Sequence, residues 1–485
     1  MARMSLDLTW AGRTWTFSDQ LDAEWEHAAP WLGSSSSPGE LSIEVDLGVD
    51  VSALVADGYD FSAATGELSI DGDVVMVGSA IDPEYGAPDD PPGYVRLTLR
   101  QVASADTALF PPAEAVINAT TWPARDTAHD GKVYPWIFGR PGSQTGETIC
   151  PATPAYLVDT VAAGTQYVLI AGHSVAAATV RVHKVVGSTS TADTYLVVHA
   201  VDGSGNTCAL VDLSEVGPTL GAGAAGDEYW IRWIGEALPG EAGEVLSYML
   251  GQAAVEVDWG TVGAARGLLQ SYVLGCYLDE RIRPTEWIED NLVPILPISL
   301  STGPAGIEVQ VWRDAVTSSD AVAALVAGPD CVRLSGISYD GDPINEIRIR
   351  YALRGDTRDY LRLATIGAAE SQFAAASQAR YRTAAHSGVY STEIETDVVY
   401  DAPTAQRIAQ MLIAWNAMRR RVIEYSLDAD RWATRVRTGS VVTITDTGIG
   451  LTAAVARVAP RTDDQDGIVV RLLLVEDPAR DVHAG

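Results

Sequence analysis

Gly172-His173-Ser174-Val175-Ala176 has the outline of a serine nucleophile elbow, which would set Ser174 on a sharp turn between a strand and a helix. The residues that follow, Thr179–Val186, alternate like another strand, and no acid and histidine succeed them in the order of an α/β-hydrolase, so a turn is the favoured reading. Asp340-Gly341-Asp342-Pro343-Ile344-Asn345-Glu346 and Asp463–Asp466 offer oxygen ligands, but neither has the spacing of a calcium loop with its terminal glutamate. Turn formation explains both. The 64 acidic residues supply endless carboxylate pairs for glycoside cleavage, and only geometry could select one. There is no G-x-x-x-x-G-K-[ST], no G-x-G-x-x-G after a strand and no H-E-x-x-H. Of the seven histidines, His173 and His183 lie nearest in sequence, too far apart for local zinc-ligand spacing. Cys150, Cys208, Cys276 and Cys331 are widely spread with no C-x-x-C pair, and read as buried thiols. No catalytic, cofactor-binding or metal-binding residue is therefore assigned from the sequence, and no cofactor is expected.

The elements around these residues belong to a long, acidic, globular chain. Its 485 residues exceed one hydrophobic core, and 47% hydrophobic with 20% charged residues is an ordered composition. The formal net charge is -31. Residues 346–485 balance 18 basic against 18 acidic side chains, so the whole excess sits in residues 1–345. Such a surface opposes gripping of nucleic acid or anionic lipid, while leaving open a wall past which DNA slides without sticking. The opening Met1–Trp15 has no apolar signal core, and no run of 18 apolar residues occurs, so neither secretion, membrane spanning nor stable membrane association is expected and synthesis in the cytoplasm is.

Four regions follow from hydrophobic period. Residues 1–130 read as an N-terminal β domain, with strands at Met4–Trp10 and Arg13–Phe17 about Ala11-Gly12, then Leu41–Leu47, Leu68–Val77 and Tyr94–Val102. Gly33–Gly39 and Asp82–Gly93 read as loops, and Trp10, Trp15, Trp25 and Trp31 as core. Residues 131–237 read as a second β domain, inserted at a loop of the first. Residues 238–345 hold a helical region with flanking strands, at Ala242–Ala253, Val262–Leu278 and Pro284–Leu296. Residues 346–485 read as a closed antiparallel β-barrel domain with one helix, Pro403–Arg421, whose final Arg419-Arg420-Arg421 suits the negative end of the helix dipole better than DNA. The fold class is thus mainly β with a smaller α region, α+β and multidomain.

Within the last 140 or so residues, one set of segments resembles the C-terminal part of phage baseplate hub and tail-tip proteins, including the hub of gene transfer agents. It comprises the arginine-flanked strand Ile347–Leu353, Ser377-Gln378-Ala379-Arg380-Tyr381-Arg382, the helix Thr404–Arg420, Leu427-Asp428-Ala429-Asp430, Arg437–Asp446 and Ala456-Arg457-Val458. Ser440 stands after Gly439 where such proteins usually have an acidic residue. Gly131–Gly142 and Pro284–Pro297 look like further pieces of such hubs.

The resemblance implies a homotrimeric ring in the virion whose tail-tube-like β-barrel domains continue the tail tube around the DNA channel. It implies contact with the distal tail protein above, fibre, spike or other tail-tip proteins below, and the tape-measure protein; genomic DNA only passes through during ejection. A structural hub, and not an enzyme, is the expectation. The runner-up is a glycan-binding or glycan-degrading tail protein, motivated by 13 Trp and 18 Tyr, and a capsid or neck component stands third.

Overall fold

A computed structural model of the chain describes residues 4–18, 22–27, 40–70, 73–85, 91–101, 107–143, 150–158, 166–186, 189–214, 220, 227–303, 305–312, 316–432, 435–436, 439–464 and 467–475. It is mainly β with a smaller helical part, and its apolar residues gather in several separate cores.

The N-terminal strands are β1 (Met4–Trp10), β2 (Arg13–Ser18), β3 (Asp22–His27), β4 (Glu40–Asp46), β5 (Thr65–Ile70), β6 (Asp73–Tyr85) and β7 (Tyr94–Gln101), with the short helix α1 (Val51–Ala56) capped by the Asp50 carboxylate. Ala11 at φ 49° and Gly12 at φ 70° both take the left-handed conformation, the backbone that a two-residue hairpin between right-twisted strands requires. Leu68–Val77 is not one strand. It is the meeting of β5 and β6, which pair antiparallel; the Asp-Gly pair between them in the sequence is itself a hairpin signal, and residues 71 and 72 lie outside the described residues. β6 also runs on through Tyr85, so the expected loop begins later than Asp82. Gly33–Gly39 and Trp31 lie outside the described residues, as does the side chain of Trp25.

The second region opens with β8 (Trp136–Gly139) and continues as a closed barrel of β9 (Thr153–Leu157), β10 (Tyr167–Ala171), β11 (Thr179–Val186), β12 (Thr189–Val201), β13 (Thr207–Asp212) and β14 (Glu228–Trp233), in the order β10-β13-β12-β11-β14-β9. Alternate side chains such as Val168, Ile170, Val180, Val182, Val211 and Trp233 fill it. Closure leaves it no free edge.

Next come α2 (Ala242–Gln252), α3 (Trp259–Leu268), β15 (Gly275–Leu278), α4 (Pro284–Asn291), β16 (Ile298–Gly303), β17 (Gly306–Val311), β18 (Ala323–Val326), β19 (Cys331–Arg333) and β20 (Ser338–Asp340). The helix expected over Val262–Leu278 stops at Leu268, and Gly275–Leu278 is instead a strand paired with β8. A continuous apolar run cannot by itself tell a buried helix from a buried strand, and pairing with β8 decides here.

The last elements are β21 (Glu346–Arg354), β22 (Asp359–Ile366), α5 (Gln372–Tyr381), β23 (Ser391–Glu395), α6 (Ala402–Asn416), β24 (Arg420–Leu427), β25 (Val441–Asp446), β26 (Leu451–Asp464) and β27 (Gly467–Leu474). Asp401 caps α6 by accepting from Thr404 N–H at 2.9 Å. The helix expected over Pro403–Arg421 ends at Asn416, because Arg420 and Arg421 already belong to β24. The dipole argument survives in altered form. From the strand, Arg420 donates at 2.9 Å to the carbonyls of both Ala414 and Trp415 at the helix C-terminus, while Arg419 pairs with Asp342 at 2.7 Å.

The two ends of the chain share one large sheet, ordered β19-β24-β27-β26-β3-β4-β7-β6-β5-β1-β2, with β25 and β18 branching from β26 and β20 sharing β24. The junction is β3 against β26, where His27, Glu26 and Trp25 pair with Arg461, Thr462 and Asp463. One core spans both units, with Leu6, Leu41 and Leu97 from the first and Ile423, Ile444 and Val470 from the second. The opposite face of the C-terminal strands, through Val422 and Leu473, packs on a second core built from α2, α4, α6 and the β21-β22 hairpin.

Candidate functional site

The residues singled out for chemistry do not converge. Ser174 is exposed, in irregular backbone and not at a helix start. The His173 ring is engaged elsewhere, with Nε2 accepting from Ile137 N–H at 3.0 Å and Nδ1 2.8 Å from the Ser174 carbonyl. All four cysteines are buried free thiols; burial pushes the Cys208 and Cys331 thiols up to about 12, and Cys276 higher still, so they stay protonated. Among the described residues no group of three or more histidine, cysteine or carboxylate side chains is placed to hold a metal ion.

Asp340–Glu346 is a structural turn. Asp342 holds Arg419, Glu346 holds Arg348 at 2.8 Å, and Asn345 is fully buried. Its amide donates to Ser377 Oγ at 2.8 Å and to the Gly388 carbonyl at 2.9 Å, and its Oδ1 accepts from Tyr390 N–H at 2.8 Å. Asp463 and Asp464 lie in the last two positions of β26; residues 465 and 466, and hence most of the turn, lie outside the described residues.

Trp10 is buried and donates to the Asp60 carbonyl at 3.0 Å, and Trp15 donates to the Leu47 carbonyl at 2.9 Å, so both serve packing. Among the described tryptophans Trp259 alone is exposed, at 53%. A pocket of about 180 Å3 opens between β15, α4 and the end of β21. Its floor includes Leu278, Trp287 and Val398, and its rim carries Asp279, Glu280, Arg358 and Asp397. Burial, with Glu280 adding like charge, holds the Asp279 carboxyl above its usual range.

The more extensive feature is the margin of the large sheet, where β19 and β20 line β24 and β18 lines β25. Val322, Val326, Val332, Leu334, Ile337 and Tyr339 are all exposed on or beside β18, β19 and β20, with Val332 at 61% and Tyr339 at 59%. At the far end β2 is an edge strand, with Arg13, Thr14 and Thr16 exposed. Open edges flanked by exposed apolar side chains invite pairing with another chain. The sequence pattern places a strand at Cys331–Ser335, where β19 lies, but gives no sign of β18 or β20, which at three or four residues are too short for a period to show.

Two layers are tied together behind this edge. Trp312, beside β17, and Trp415 of α6 meet edge to face with ring centroids 5.2 Å apart. The buried Arg457 of β26 lies over both, with Cζ 4.4 Å from the Trp312 ring and 5.7 Å from that of Trp415. Arg420 covers Trp415 at 4.8 Å.

Residues 339–459, which hold Asn345, the α6 helix and Arg457, match the family model described as "Putative phage tail protein". A search of curated proteins returns no match. Among solved structures the chain is similar to a tail protein from Neisseria meningitidis at 12% identity and TM-score 0.42, covering 98% of this chain and 97% of that one. It is similar to a 43 kDa prophage tail protein from Shewanella oneidensis at 11% identity and TM-score 0.40, with the same coverage. A chain of the native gene transfer agent virion matches at 13% identity and TM-score 0.40, over 76% of this chain and 90% of that one. Residues 339–459, the segment that joins the two layers of the fold, are thus similar to the family of putative phage tail proteins.

Proposed function

We propose that the chain is a structural building block of a bacteriophage tail tip, forming an oligomeric hub that continues or closes the tail tube and anchors receptor-binding fibres or a spike. The observation that carries the reading is the single sheet to which both chain ends contribute a β unit, joined at β3 and β26. Two such units per subunit let a homotrimer present six around one axis, which is what a ring stacked on a six-fold tube needs. The β18–β20 edge of one subunit and the β2 edge of its neighbour are then covered on assembly.

The distal tail protein, other tail-tip proteins and the tape-measure protein are the partners such a ring meets, with DNA passing through. Contact, and not catalysis, is the work assigned to it. In light scattering after size exclusion, the chain is expected to run at three times its own mass. Val332→Asp combined with Tyr339→Asp is expected to yield folded monomer, because two charges would have to be desolvated at the joint. A wild-type monomer at micromolar concentration, or a variant that stays trimeric, would sink the proposal.

The acid surplus gains a role in the same frame. Asp7 and Glu67 stand directly opposite each other on exposed positions of β1 and β5, where like charges destabilise a strand pair by roughly 0.2–1 kcal/mol. On a channel wall they would repel passing DNA. Asp7→Lys is expected to raise the urea midpoint slightly through a new cross-strand pair, and to slow DNA delivery in reconstituted particles. Unchanged delivery with several such reversals would argue against the wall.

A further inference from the structure

Three faces attach the β9–β14 barrel to the rest of the chain, and each packs a histidine, with His173 and His183 buried and His129 half-buried, in surroundings that oppose its protonation. On the first, the segment around residues 115–134 packs on the outside of the barrel through Ile117, Tyr134 and Tyr156. His129 lies there against the Tyr156 ring at 5.2 Å, and its Nε2 is buried without a hydrogen-bond partner. Charged groups near it are Asp126 and Lys132.

On the second face, the Gly172–Ser174 loop sits on the 134–137 segment, with Gly172 N–H donating to the Pro135 carbonyl at 2.8 Å. His173 accepts from Ile137 N–H through Nε2, so the ring's proton sits on Nδ1, facing the Ser174 carbonyl. The Trp136 ring covers it at 4.7 Å, and His199 is the titratable neighbour. A second proton on Nε2 would remove the acceptor and break the bond to Ile137.

On the third face, the turn of the β21-β22 hairpin lies against β14 and the start of β9. Gly355 N–H donates to the Pro151 carbonyl at 2.8 Å, and a Cβ on Gly355 would stand 2.4 Å from both the Ala152 carbonyl and the Trp230 ring. His183 of β11 is fully buried, and neither ring nitrogen has a partner. Charged groups facing it are Arg181 on its own strand, Arg232 on β14, and Arg354 with its ion-pair partner Asp356 on the hairpin. Three guanidiniums and one carboxylate make this a poor place for another positive charge.

We propose that the barrel is held as an acid-releasable module: protonation of His129, His173 and His183 loosens its three attachments while the barrel itself stays closed. The barrel interior is lined by aliphatic and aromatic side chains, so acid has little to act on there. Burial is the main cause in each case and depresses all three, His173 and His183 from 6.5 to about 4. Because the attached-state values are depressed, the stabilisation is complete above 6.5 and is lost as pH falls from there toward about 4. Three protons taken up together make release steep, with up to about a thousandfold change in the attached-to-released ratio per pH unit.

The test is hydrogen exchange of the purified full chain between pH 7.5 and 4, corrected for intrinsic rates. Protection should fall first at residues 129–137, 172–175 and 354–356, while β10–β13 stay protected. His129→Phe/His173→Gln/His183→Phe should abolish that early loss. Histidine C2–H exchange on the wild type gives a reading independent of any variant, and should show His173 and His183 titrating at about 4 and His129 below 6.5. Attachment segments that keep full protection at pH 4.5, a barrel interior that opens with them, or seam histidines titrating near the free value would each overturn the proposal.

Discussion

Asn345→Ala is expected to lower the stability of the C-terminal layer by about 3 kcal/mol, a large share of a domain's net stability. One buried residue joins three pieces of chain, its own, α5 and residues 388–390. Its backbone N–H donates to the Tyr390 carbonyl at 2.9 Å, its backbone carbonyl accepts from Gln378 at 3.1 Å, and its side chain holds Ser377, Gly388 and Tyr390. Alanine keeps the backbone bonds and strands the buried Gly388 carbonyl and the part-buried Tyr390 N–H. Asn345→Asp separates the causes. The Ser377 hydroxyl already donates to the Ala417 carbonyl, so a carboxylate would meet lone pairs at Ser377 and Gly388. It should cost at least as much as alanine at pH 7. The same repulsion raises the pKa of that aspartate in the folded state, so stability should recover as pH falls and the carboxyl can donate to Gly388. Urea melts of both variants at pH 7 and 5 would show it, and equal, pH-independent losses would contradict the donor role.

Arg457→Ala should cost a similar amount, about 3 kcal/mol, for a different reason. Its stem fills the space between β26 and the Trp312–Trp415 pair, and its guanidinium stacks over both rings in a buried place where such contacts are worth up to about 2 kcal/mol. Truncation leaves a cavity between the layers, which the strands, already paired on both sides, cannot close. Arg457→Lys keeps the charge and loses the plane, so it should recover less than half of the loss. Indole fluorescence during urea unfolding reports directly, since Trp312 and Trp415 are the rings involved. A lysine variant with wild-type stability would show that charge alone matters. The layer joined here carries the exposed β18–β20 edge, so loosening it should also weaken oligomerisation more than the same stability loss placed inside the barrel.

Sequence pattern alone established the β class, the hairpins about Ala11-Gly12 and between β26 and β27, the α2 and α6 helices and the strands flanking them. Their signals are local: left-handed turn residues, alternation with period two, and an apolar stripe at Ile408, Leu412 and Trp415. The burial of the four widely spread cysteines was also legible, since nothing in their spacing draws them to the surface.

Tertiary structure alone decided which strands meet. Alternation says which side of a strand is buried and nothing about its neighbour, so the joining of β3 to β26, of β18 to β25 and of β15 to β8 could not be read. It also moved Arg420 from a helix end to a strand that reaches back to cap that end, and brought three histidines scattered in sequence to the seams of one barrel. Those properties depend on which surfaces come together far along the chain, and a histidine's proton affinity is set by the groups it faces, not by the residues beside it in sequence.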